Sequence, residues 1–118
     1  MTAPRWLSSL SGLPHVLTTA IIGDDGLLIE ATSGDLVGVD ELAAECARLA
    51  LAASSVGARL NGGRLYRFSL TTERFELLLM RAGPGFTLVA AAERGADLRR
   101  VQVEMAASPS TPPTRALN

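Results

Sequence analysis

The residues able to do chemistry in this chain are few and scattered. There is one histidine, His15, and one cysteine, Cys46, far apart in sequence. Nucleophilic catalysis needs a nucleophile within reach of a base that a third group orients, and no serine sits in a Gly-x-Ser-x-Gly elbow. His15 follows Gly12-Leu13-Pro14, a turn signal, and reads as a surface or packing residue. Cys46 lies at the edge of an apolar helical stripe and reads as a small core residue. Asp24 and Asp25 are adjacent carboxylates, but a calcium loop needs several oxygen ligands at regular spacing and a distal acid. Before Gly26 they serve a turn. Asn61-Gly62-Gly63 is the one glycine-rich stretch that could cradle phosphate. A phosphate loop follows a strand, opens a helix and carries Lys-Ser/Thr; this one follows a helix and opens a strand, and all 11 basic residues are arginine. We therefore expect a non-catalytic protein with no cofactor and no metal, and nominate no catalytic, cofactor-binding or metal-binding residue.

With chemistry absent, the question becomes what the elements are built to hold. The 118 residues suit one domain with a real core, and a hydrophobic share of 47% suits a compact fold. A net charge of −1 leaves no basic footprint for nucleic acid. No apolar run approaches the ~18 residues of a membrane span, and MTAPRWLSSL lacks a secretory signal's apolar segment. A lone cysteine forms no internal disulfide, so the expectation is a cytoplasmic protein without membrane insertion.

One stretch governs the rest, Val39 to Leu60. Leu42, Cys46, Leu49, Val56 and Leu60, with Ala53 in the gap, recur at spacings of three and four and form one helical stripe. Beside it runs an arc of small residues, Ala43, Ala47, Ala50, Ser54, Gly57 and Ala58, and the charges Glu41, Glu45, Arg48 and Arg59 occupy the remainder. A single small core covers one side of a helix. The small arc then calls for a second cover, and a helix held between its own sheet and a second subunit supplies it. The plainer reading is an alanine-rich helix whose small side chains sit in water, alanine being the best helix former.

The other elements follow in order. Residues 4–11 read as a short helix, stopped by Gly12 and Pro14. Val16–Ile22 and Leu27–Ala31 read as a hairpin of strands about the Asp24-Asp25-Gly26 turn. Asp40 is the expected N-cap of the long helix. Arg64–Leu70, Phe75–Arg81 and Phe86–Glu93 read as a three-stranded meander, the last strand apolar on both faces and hence central. A final amphipathic helix carries Leu98, Val101 and Met105 on its apolar side. Residues 107–118 hold half of the six prolines and read as a disordered tail, leaving 1–106 as the domain. The expected fold is α+β, a five-stranded antiparallel sheet with helices on its faces, in the order α-β-β-α-β-β-β-α.

In that order the chain resembles the Roadblock/LC7 domains, of the bacterial, MglB-like kind. The likeness rests on Gly12-Leu13-Pro14-His15-Val16, on the hairpin from Ala20 to Ile29, on the small-residue helix from Glu41 to Leu60 and on Val101-Gln102-Val103-Glu104-Met105. It covers residues 5 to 106. It implies a dimer in which the long helices pack together and the third strands pair edge to edge. That places Ala43, Ala47, Ala50, Ser54, Gly57, Ala58, Leu65, Tyr66, Arg67 and Phe68 at the dimer interface. It also implies partners. Bacterial members of this kind act as GTPase-activating proteins on small Ras-like GTPases, and others sit in modules with a sensor kinase and a GTPase-like protein. Activation by a trans-acting arginine is one route to faster hydrolysis, but the resemblance implies repositioning of the GTPase's own groups, so no arginine finger is assigned. Glu41, Glu45 and Arg48 are the candidate partner contacts, with an ordinary solvated helix face as the competing reading. Three functions follow: a homodimer that modulates a GTPase, a dimeric adaptor that only tethers, and, least supported, an enzyme or small-molecule sensor.

Overall fold

The computed structural model describes residues 9–32, 38–83 and 85–107. Residues 9–11 are helical; the rest of the expected first helix lies outside the described residues, as does the tail from residue 108. Thereafter the chain forms β1 (Val16–Gly23), β2 (Leu28–Ala31), a long helix α1 (Val39–Arg59), β3 (Arg67–Thr71), β4 (Phe75–Gly83), β5 (Phe86–Glu93) and a closing helix α2 (Leu98–Ala106). The strands make one antiparallel sheet in the order β2-β1-β5-β4-β3.

The inner strands of the sheet are buried on both faces, and strand parity sorts the two cores. Ile21, Leu78, Phe86, Leu88 and Ala90 point to one face, where they meet Leu10 and the α2 residues Val101 and Met105. Ala20, Ile22, Leu77, Leu79, Val89 and Ala91 point to the other, where α1 supplies Leu42, Ala43 and Cys46. β5 lies at the centre, as its two apolar faces require. β1 buries two hydroxyls, and both are satisfied. Thr18 Oγ1 donates to the Thr32 carbonyl at 2.9 Å, and Thr19 Oγ1 lies 2.9 Å from Thr32 Oγ1. Left unpaired, each would cost roughly 1–3 kcal/mol.

The β1–β2 turn is built as its residues suggest. Asp25 Oδ1 accepts the Leu27 N–H at 3.0 Å, and Gly26 takes a φ of +82°. Three expectations are corrected. The N-cap of α1 is Gly38, which offers no side-chain bond; Asp40 and Glu41 lie in the first turn, where their charge complements the helix dipole. β3 begins at Arg67 rather than Arg64, because the chain must travel back from the end of α1 before it reaches the sheet. Finally, Val56 and Leu60 are 58% and 76% exposed although they share the stripe of buried Leu42. The helix outruns its support: the last α1 residues packed on the core are Leu49 and Ala50. Periodicity sets which side of a helix faces a core, not how far the core extends beneath it.

Candidate functional site

Each residue that could do chemistry occupies a structural position. His15 Nδ1 lies 3.2 Å from Glu93 Oε2 at the exposed margin where β1 begins and β5 ends. Cys46 is completely buried beneath α1, and burial, assisted by the neighbouring Glu45 charge, pushes its thiol up to about 11. Such a thiol is protonated and inert at neutral pH. Asp24 pairs with Arg81 at 3.5 Å while Asp25 holds its turn. Among the described residues no three His, Cys, Asp or Glu side chains gather as a metal site would need.

A groove of about 250 Å³ lies between α1 and the β3 side of the sheet. Ala47, Ala50, Leu51 and Ser54 of α1 form one wall; Leu65 to Phe68, at the entry to β3, form the other. Ile22 and Leu79 lie between them, with Asp24, Arg81 and Thr87 at one end. Small residues at α1 positions 47, 50 and 54 hold the wall back and leave the floor apolar. Beside this floor stand two large exposed apolar side chains, Leu51 at 74% and Tyr66 at 70%; Val56 and Leu60, on the unsupported end of α1, are exposed on a different side of the helix. A chain in water gains nothing by leaving such a cluster wet, and a patch of this kind marks an interaction surface.

Seven of the ten interface candidates meet here, namely Ala47, Ala50, Ser54, Leu65, Tyr66, Arg67 and Phe68. Ala43 does not; it is 2% exposed and belongs to the chain's own core, because the buried side of α1 is centred between Leu42 and Ala43 rather than on the bulky stripe alone. Ala58 is exposed beyond the groove. Gly57 has a local reason to be small, since a Cβ there would meet the Gly63 carbonyl at 3.2 Å where Gly62 N–H closes the helix end onto the Gly57 carbonyl at 2.7 Å. Leu51 is the residue that sequence reasoning missed. It sits one turn from Ala47 on the same wall, but sorting the arc by small size left it out.

Glu41, Glu45 and Arg48 are exposed on the wet side of α1. Glu45 and Arg48 form an i,i+3 pair at 3.6 Å with both side chains mostly in water, a pairing of small stabilising value.

The model of the Roadblock/LC7 domain matches residues 5–92. The chain belongs to the Roadblock/LC7 family. Among solved structures it is similar to a Roadblock/LC7 domain from Streptomyces avermitilis, at 29% identity over 89% of this chain and 90% of that one, with a TM-score of 0.80. It shares its fold with an MglB of tetrameric arrangement (20% identity, 87% and 81% covered, TM-score 0.79) and with the gliding protein MglB of Thermus thermophilus (20%, 85% and 77%, TM-score 0.77). A search of curated proteins returned no match. Membership in this family supports a regulatory adaptor role, and no described helix is long and apolar enough to cross a membrane.

Proposed function

We propose that this Roadblock/LC7 domain is a non-catalytic homodimer that binds a small Ras-like GTPase in the cytoplasm and modulates its GTP hydrolysis. The observation that carries the reading is the half-supported helix: α1 is seated on the sheet through Leu42, Ala43 and Cys46, Leu51 and Tyr66 stand exposed beside an apolar groove, and Val56 and Leu60 are exposed past the end of the seat. A second copy laid along that groove would shelter Leu51 and Tyr66 and leave Glu41, Glu45 and Arg48 outside for a further partner. The MglB neighbours, with the same fold, support the choice of a GTPase.

The test is single-turnover GTP hydrolysis by a co-encoded small GTPase, with and without this protein. A faster rate that Glu41→Arg or Arg48→Glu abolishes is the expected result. Binding with an unchanged rate would leave a dimeric adaptor, of the kind that joins a sensor kinase to a GTPase-like protein. Absence of binding would end the GTPase reading.

A further inference from the structure

Given the edge-to-edge pairing of third strands that the Roadblock/LC7 resemblance implies, we propose that in this chain the two β3 edges meet in a register centred on Ser69, each end of the seam closed by an ion pair between Arg67 of one protomer and Glu76 of the partner subunit. This rests on the homodimer reading above and adds to it the register and the charges that hold it.

The backbone supplies the first constraint. Arg81 N–H donates to the Tyr66 carbonyl at 2.7 Å, and Thr72 N–H donates to the Phe75 carbonyl at 2.9 Å. Between these points β3 and β4 run in register from Arg67 opposite Met80 to Thr71 opposite Glu76. Bonded and non-bonded positions alternate along an antiparallel ladder, so Phe68 and Leu70 spend their backbone groups on β4. Arg67, Ser69 and Thr71 turn theirs outward, where the sheet ends. An edge of this kind is a template for another strand.

Symmetry supplies the second. A two-fold axis perpendicular to the sheet keeps every side chain on its own face, so a residue can oppose only one of its own parity. Within β3 this leaves Phe68, Ser69 or Leu70 as central residues. Only the Ser69 register engages all three outward-facing positions with one another; either alternative leaves one of them unmatched within the strand.

The side chains agree with that register on both faces. On the α1 face Phe68 would oppose Leu70 of the partner subunit, an aromatic–aliphatic cross-strand pair continuous with the apolar groove that Phe68 lines. On the other face Arg67 would oppose Thr71 of the partner subunit. Arg67 borders the groove from the start of the strand, yet its pairing with Met80, which packs on the α2-side core, sets its Cβ on that second face. Thr71 Oγ1 donates to Glu76 Oε1 at 3.1 Å, which draws the carboxylate toward the edge. Two strand spacings, about 10 Å in all, separate the Arg67 and Glu76 backbones across the seam, a gap that these two long side chains close together. Within its own chain Arg67 has no ion-pair partner among the described residues.

Sedimentation equilibrium on the whole chain tests this with Arg67→Glu, Glu76→Arg, the double exchange, and Glu73→Arg as a register control, circular dichroism confirming that each is folded. Each of the first two should raise the dimer Kd about tenfold, since two symmetric pairs become repulsive. The double exchange should return it to within about threefold of wild type, and Glu73→Arg should change little. Simple addition of the two effects in the double exchange would overturn the pairing while leaving the dimer in place. So would rescue of Arg67→Glu by Glu73→Arg, the result expected with Leu70 on the axis. A wild type that stays monomeric at every concentration would remove the dimer reading and the seam together.

Discussion

The two halves of α1 are made of similar residues and meet opposite fates. In the first half Leu42 is 5% exposed and Cys46 is completely buried, both against the sheet. In the second, Leu60 falls on the same helical side as Leu42 and is 76% exposed. Composition cannot account for the difference, because the same period runs through both. The sheet accounts for it, since the seat beneath α1 ends near Ala50. The first half is therefore a folding element. The second is a surface whose apolar residues gain only when something else covers them.

That contrast is best broken by substituting one leucine in each half. Leu42→Ala should cost about 2–5 kcal/mol of folding stability, the range for a large-to-small change in a core, read as a lower midpoint in urea at constant slope. A cost below about 1 kcal/mol, under that range, would mean that the first half is not seated as described. Leu51→Glu should leave the monomer folded but raise the dimer Kd roughly a hundredfold, as an unpaired carboxylate enclosed by a second copy would. It is a cleaner probe than Ala50→Glu, because Ala50 also packs on the chain's own core.

The pH dependence sharpens the same division. Cys46 is raised to about 11 by burial, with a smaller contribution from Glu45, against an ordinary value of 9.0. The folded state therefore keeps a proton that the unfolded chain releases first. The stabilisation is complete below pH 9 and is lost as pH rises toward 11, by at most about 3 kcal/mol. Denaturation midpoints between about pH 8 and 11 should fall more steeply in the wild type than in Cys46→Ala; equal slopes would show that the thiol titrates freely. Smallest of all, exchanging Glu45 for Gln should shift folding stability by less than about 0.5 kcal/mol, an exposed i,i+3 pair being worth little. Thermal melts at low salt would check it, and a larger loss would mean that this pair supports the helix.

Much of this fold was legible in the chain. Alternation and turn residues located the hairpin about Asp24-Asp25-Gly26 and the meander after Gly63, and the two-sided apolar strand Phe86–Glu93 declared itself central. What stayed hidden was extent. A strand pattern could not say that Arg64 and Leu65 would be spent on the return from the helix. A polar side chain at Asp40 suggested a cap, whereas the chain starts the helix earlier, at Gly38, with backbone alone. The groove was half visible: the small residues Ala47, Ala50 and Ser54 signalled a close approach, but the exposed Leu51 beside them carried no distinguishing mark. It stands at the groove only because the β3 side of the sheet comes to lie beside α1 there, and that depends on strands far away in sequence.

The central claim is that the outer half of α1 is sheltered by a second copy of the chain. Light scattering behind size-exclusion chromatography, run on wild type and on Leu51→Glu across a wide range of concentration, tests it most directly. Twice the chain mass is expected for the wild type and a single chain mass for the variant. A wild type that elutes as a monomer throughout, indistinguishable from Leu51→Glu, would contradict it.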